Sequence, residues 1–65
     1  MKISVNGEII ETKAKTLAAL LDELGKTDAK VATALNEGFV PAGQRTNTVL
    51  VDGDRVEIVA PRQGG

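Results

Sequence analysis

Sixty-five residues, 42% of them hydrophobic, suffice for one small domain around a single core. Neither cysteine nor histidine is present, which excludes disulfides, thiol chemistry, Ser/His and Cys/His dyads, most zinc sites and an ordinary pH switch near neutrality. Eight basic and nine acidic residues give a net charge of −1, arguing against a nucleic-acid or anionic-membrane binder, and no apolar run approaches the roughly 18 residues of a membrane span.

Met1-Lys2-Ile3-Ser4 opens no long apolar h-region, so a cytoplasmic protein is expected. Met1 to Val5 alternates apolar and polar residues, the period of a strand with one buried face. Asn6-Gly7 follows, the sequence of a two-residue hairpin turn with positive φ at both positions. A second strand from Glu8 to about Thr12 then pairs Val5 with Glu8 and Ile3 with Ile10. Paired residues share a face, so Ile3, Val5 and Ile10 point to the core and Ile9 to the other side.

Thr16 reads as an N-cap and Gly25 as the residue just past a helix end. Between them Leu17, Leu20, Leu21 and Leu24 form one apolar stripe, which predicts a helix over about Leu17 to Leu24. Lys26 to Ala29 is a polar connection. Lys30 to Leu35 reads as a third strand whose inner phase is contested between Val31, Thr33, Leu35 and the alternating Ala32, Ala34. Asn36-Glu37-Gly38 is a turn, Phe39-Val40-Pro41 leaves it, and Ala42 to Asn47 is expected as a loop. Thr48 to Val51 is expected as a short fourth strand, Asp52-Gly53-Asp54 as a tight turn, and Arg55 to Ala60 as the last strand, with Val56, Ile58 and Ala60 inward and Val59 outward. The order predicts an α+β fold in which one helix covers one face of a small sheet. Residues 1–61 form the domain, and 62–65 a flexible tail, Arg62-Gln63-Gly64-Gly65.

Side-chain chemistry is sparse. Asp52 and Asp54 form a close carboxylate pair, but flanking a glycine turn they are turn formers first. Gly38 and Gly43 make no phosphate loop, and Arg45, Arg55 and Arg62 are scattered enough to read as solvated surface. No metal ligand set or catalytic set is expected. What remains is the diglycine. A terminal carboxylate is anionic at neutral pH and a poor electrophile until one oxygen becomes a leaving group. Glycine lacks Cβ, so Gly64-Gly65 can thread a narrow cleft and leaves its acyl carbon unshielded. The four residues after Pro61 reach at most about 14 Å, enough to enter a partner's active site while the folded body stays outside. Ile9 and Val59 on the open face, with Phe39 near its rim, are candidate docking residues for such a partner.

Several segments together resemble the ThiS family of ubiquitin-like β-grasp sulfur carriers. They are the first strand ending in Asn6-Gly7, the Leu-rich helix, Ala34-Leu35-Asn36, Phe39-Val40-Pro41, Asp52-Gly53-Asp54 with Val56-Glu57-Ile58, and Gly64-Gly65. The family often has Arg after Val-Pro and Trp three residues later; here those places hold Ala42 and Arg45. The resemblance implies a β-grasp fold with a mixed sheet. It also implies a chain that is a protein substrate, not an enzyme, and binds no cofactor itself. A ThiF-like adenylyltransferase would use ATP and magnesium to convert the Gly65 carboxylate to an acyl-adenylate. A persulfide sulfur donor would yield the thiocarboxylate, and a ThiG-like thiazole synthase would receive the sulfur for thiamine. The small subunit of molybdopterin synthase, a protein modifier and a β-grasp interaction module remain alternatives at this level.

Overall fold

The computed structural model describes residues 1–26 and 30–60. Five strands form one sheet: β1 (Lys2–Val5), β2 (Glu8–Glu11), β3 (Ala32–Leu35), β4 (Gly38–Val40) and β5 (Arg55–Val59). Their spatial order is β2-β1-β5-β3-β4. Two antiparallel hairpins, β1–β2 and β3–β4, flank β5, which runs parallel to β1 and antiparallel to β3. The sheet is therefore mixed, and the strand nearest the chain's end lies at its centre.

The first hairpin keeps the expected register, Ile3 opposite Ile10 and Val5 opposite Glu8. Asn6 at φ 52° and Gly7 at φ 86° supply the two left-handed residues its turn needs. The second hairpin closes over Asn36 and Glu37, both at positive φ (49° and 75°), and Gly38 already opens β4 opposite Leu35. Tertiary pairing resolves the contested phase of β3: Thr33 is buried, Val31 and Leu35 pack on the core, and Ala32 faces outward. Thr33 tolerates burial because its hydroxyl donates to the Val40 carbonyl at 2.9 Å and accepts from Arg45 Nε at 3.0 Å.

Helix α1 (Leu17–Glu23) begins where expected, with the Thr16 hydroxyl accepting from the Ala19 amide at 3.1 Å. It ends in a Schellman motif. The Gly25 amide donates to Asp22 O and the Lys26 amide to Leu21 O, and Gly25 takes the left-handed conformation (φ 73°) at little steric cost. Leu17, Leu20 and Leu21 are buried against Ile3, Val40, Leu50, Val56 and Ile58. Each fully covered aliphatic side chain contributes about 1.5–3 kcal/mol of transfer free energy, and this one layer is the core.

Two expectations for the 40s and early 50s are corrected. Ala42–Asn47 forms a 3-10 helix, not an open loop. Thr48 to Val51 is not a sheet strand: it meets the chain leading into α1 through one bridge between Thr16 and Val49 and hydrogen bonds from the Leu17 amide to Thr48 O and from the Leu50 amide to Lys15 O, and otherwise bonds its own neighbours Arg45 and Asp54. Leu50 is the residue this segment sends into the core. Ala60, expected inward, lies past the end of β5 and is exposed.

Candidate functional site

The helix occupies one face of the sheet. Ile9, Phe39 and Val59 lie on the other, at 72%, 71% and 61% exposure. Alternation places them there: each is adjacent in its strand to a residue that packs on or within the core, Ile10, Val40 and Ile58 respectively. All three expected docking residues thus share the open face, but they do not form one patch. Phe39 pairs with Ala34, and Val59 with Ala32. These four line one shallow groove, with Glu57 at its wall. Ile9 pairs with Ser4, which pairs with Arg55. That puts Ile9 two strands away from β5 and level with a residue four before Val59, about 13 Å further back along the strand. Ile9 lies instead in a separate depression with Lys2, Ser4, Asp52 and Arg55, and Arg55 and Glu57 run as a polar band between the two.

The Phe39–Val59 groove sits at the end of the sheet where β5 approaches residue 60. Its floor, Ala32 and Ala34, was missed by sequence reasoning because the phase of β3 was open. The signal that could have found it is the strict alternation of two alanines around Thr33, small residues that leave room beside an aromatic ring.

Asp52, Asp54, Arg45 and Arg55 each have a partner within the fold. Asp54 Oδ2 accepts from the Val51 amide at 2.8 Å and Oδ1 from Asn36 Nδ2 at 3.0 Å, while Asp52 Oδ1 accepts from the Lys2 amide at 2.7 Å. The carboxylate pair therefore builds the turn, as its spacing suggested. Arg45, expected as solvated surface, turns inward: Nη2 donates to the Val31 carbonyl at 2.7 Å and Nε to Thr33. It braces the start of β3. Arg55 reaches Glu37 at 3.5 Å across an exposed surface, a pair worth little in water. Among the described residues, no group of three or more Asp or Glu side chains could hold a metal ion, and no helix is long and apolar enough to cross a membrane. The tail residues Arg62, Gln63, Gly64 and Gly65, and the boundary drawn at residue 61, lie outside the described residues.

A central strand flanked by two hairpins in the order β2-β1-β5-β3-β4, with one helix across one face, defines a β-grasp domain of the ubiquitin type. The ThiS family profile matches residues 2–65, and the chain belongs to that family. The sulfur carrier protein ThiS of Thermus thermophilus is 41% identical over 61 residues, covering 94% of this chain and 95% of that protein. A thiazole synthase of Paramagnetospirillum magneticum is 42% identical over 66 residues, covering all of this chain; the chain spans only 20% of that protein's length. The crystal structure of the thiamine biosynthesis protein ThiS from Geobacter metallireducens superposes with a TM-score of 0.83 at 29% identity, both chains covered completely.

Proposed function

We propose that this chain is a sulfur carrier for thiamine biosynthesis, a protein substrate whose reactive group is the Gly65 carboxylate. One observation carries the reading: the similarity to sulfur carriers runs the length of the chain, and the family match extends through Gly64 and Gly65. A fold alone would not assign a function.

The chemistry follows from what a carboxylate needs. A carboxylate oxygen of Gly65 attacks the α-phosphorus of ATP, held with magnesium by a ThiF-like adenylyltransferase, and pyrophosphate leaves. The terminal sulfur of a persulfide donor attacks the acyl carbon, and AMP leaves. A thiol then cleaves the S–S bond of the acyl disulfide and leaves the thiocarboxylate. Glycine at both final positions keeps that carbon open to attack. The carrier supplies a handle and a bare end; ATP and the partner's electrostatics drive activation. Such chemistry belongs in the cytoplasm, where ATP is available.

The thiocarboxylate passes to a thiazole synthase. Support comes from the Paramagnetospirillum thiazole synthase, a fifth of whose length resembles this entire chain. Docking uses the groove of Phe39 and Val59, which is apolar at its centre and lies beside Ala60, the last described residue; Ile9 contributes from a second, outlying spot. ATP–pyrophosphate exchange catalysed by the adenylyltransferase tests the reading. The intact chain supports exchange, and a chain lacking Gly65 does not; equal exchange by both would refute it.

A further inference from the structure

The β1–β5 ladder holds a feature that its backbone does not explain. Backbone pairing ends at Val5 opposite Val56, while β5 runs on to Val59. Past that point the chain of β1 turns away at Asn6. The Asn6 amide still donates to the Val56 carbonyl at 2.9 Å. Its side chain then does what the next residue of a strand would do: Oδ1 accepts from the Ile58 amide at 2.8 Å, and Nδ2 donates to the Ile58 carbonyl at 3.0 Å. Both polar groups of Ile58 are thus satisfied on that side by one carboxamide, 52 residues away in sequence. On its other side β5 is held by β3, Thr33 opposite Ile58 and Ala32 opposite Val59.

Asn36 provides the counterpart at the other end of the strand. It occupies the same first position of its hairpin turn, and its Oδ1 accepts from the Arg55 amide at 2.9 Å while Nδ2 donates to Asp54 at 3.0 Å. The two turn asparagines therefore grip β5 at opposite ends, Asn36 where it begins and Asn6 where it leads toward the tail.

We infer that Asn6 is a positioning residue: its carboxamide adds a side-chain rung to the ladder and fixes the course of the chain at Ile58, two residues before Ala60, the root from which the tail follows. This rests on the sulfur-carrier reading for its consequence and on the hydrogen bonds alone for its structural part. A root held in place reduces the freedom lost when the tail enters a partner's cleft, an effect on binding and not on the bond-making step.

Asn6→Gly is the informative variant, because glycine keeps the left-handed turn and removes only the carboxamide. Asn36→Gly is its control, a comparable loss at the far end of the same strand. Two measurements are made on each: amide hydrogen exchange of residues along β5, and KM and kcat of the carrier in adenylation by its adenylyltransferase. Asn6→Gly speeds exchange at Ile58 by about 3- to 10-fold while Val56 is unchanged. It raises KM by a similar factor with kcat within about twofold, since the lost bonds act only on docking. Asn36→Gly moves neither Ile58 exchange nor KM. Unchanged Ile58 exchange in Asn6→Gly overturns the rung. Faster exchange with unchanged KM, or an equal rise of KM in Asn36→Gly, overturns the positioning role. Absence of adenylation in the unaltered chain refutes the sulfur-carrier reading instead, and the exchange data still decide the rung.

Discussion

The two faces of the sheet are written in the same alternating pattern, yet their apolar residues meet different fates. On the covered face Ile3, Val56 and Ile58 meet the helix leucines and are almost wholly removed from water. On the open face Ile9, Phe39 and Val59 remain more than half exposed, and Arg55 and Glu57 lie between Ile9 and the groove that Phe39 and Val59 share. The covered face accounts for the stability of a small domain. The open face contributes little to it and is free to meet another protein. Substitutions on one face should move stability, and substitutions on the other should move only reaction with partners.

The sharpest way to break this contrast is to truncate the core. Leu20→Ala removes a fully buried side chain and should cost about 2–5 kcal/mol, a large part of what so small a domain possesses; urea denaturation would reveal a strong fall in midpoint. Next comes the open face. Phe39→Asp combined with Val59→Asp should lower kcat/KM for adenylation by about 30-fold if the groove is a binding centre, with each change shifting stability by only about 0.5 kcal/mol. Ile9→Asp, in its separate depression, should lower kcat/KM by less than about threefold, as a rim contact does. Equal effects at the two places would show that the face acts as one surface.

Thr33→Val sharpens the picture of the covered face. The shape is retained, but the Val40 carbonyl loses a donor and Arg45 Nε an acceptor, so a loss of about 1–2 kcal/mol is expected in thermal unfolding. The smallest effect is a gain. Glu37 is held at φ 75° in the second hairpin turn, and Glu37→Gly should stabilise by about 0.5–1 kcal/mol despite losing its exposed pair with Arg55. An unchanged melting temperature would mean that the turn carries no strain.

Much of this was legible where the determinants are local. Asn6-Gly7 set the first hairpin and hence the outward aim of Ile9; Thr16, the leucine spacing and Gly25 set the helix within a residue. The fold family came through the resemblance, and with it the mixed sheet. What the sequence hid depends on distant partners. The phase of β3 is settled by pairing with β5, and the inward turn of Arg45 by carbonyl and hydroxyl acceptors on β3. Thr48 to Val51 has the composition of a strand, but its backbone bonds the start of the helix, the residues ahead of it and its own neighbours, and joins no strand of the sheet. For the candidate site, exposure of Ile9 and Val59 was readable from alternation, while Phe39 was placed only near the rim of the open face. The division of that face was not readable, because it follows from strand order.

The claim that everything else serves is that the Gly65 carboxylate is where sulfur is loaded. Intact-mass measurement tests it most directly, after incubation with the adenylyltransferase, ATP, magnesium, a persulfide donor and a reducing thiol. The account predicts a mass gain equal to one sulfur replacing one oxygen, localised by fragmentation to Gly65 and lost when Gly65 is deleted. Sulfur found elsewhere on the chain, or gained equally by the shortened form, would contradict it.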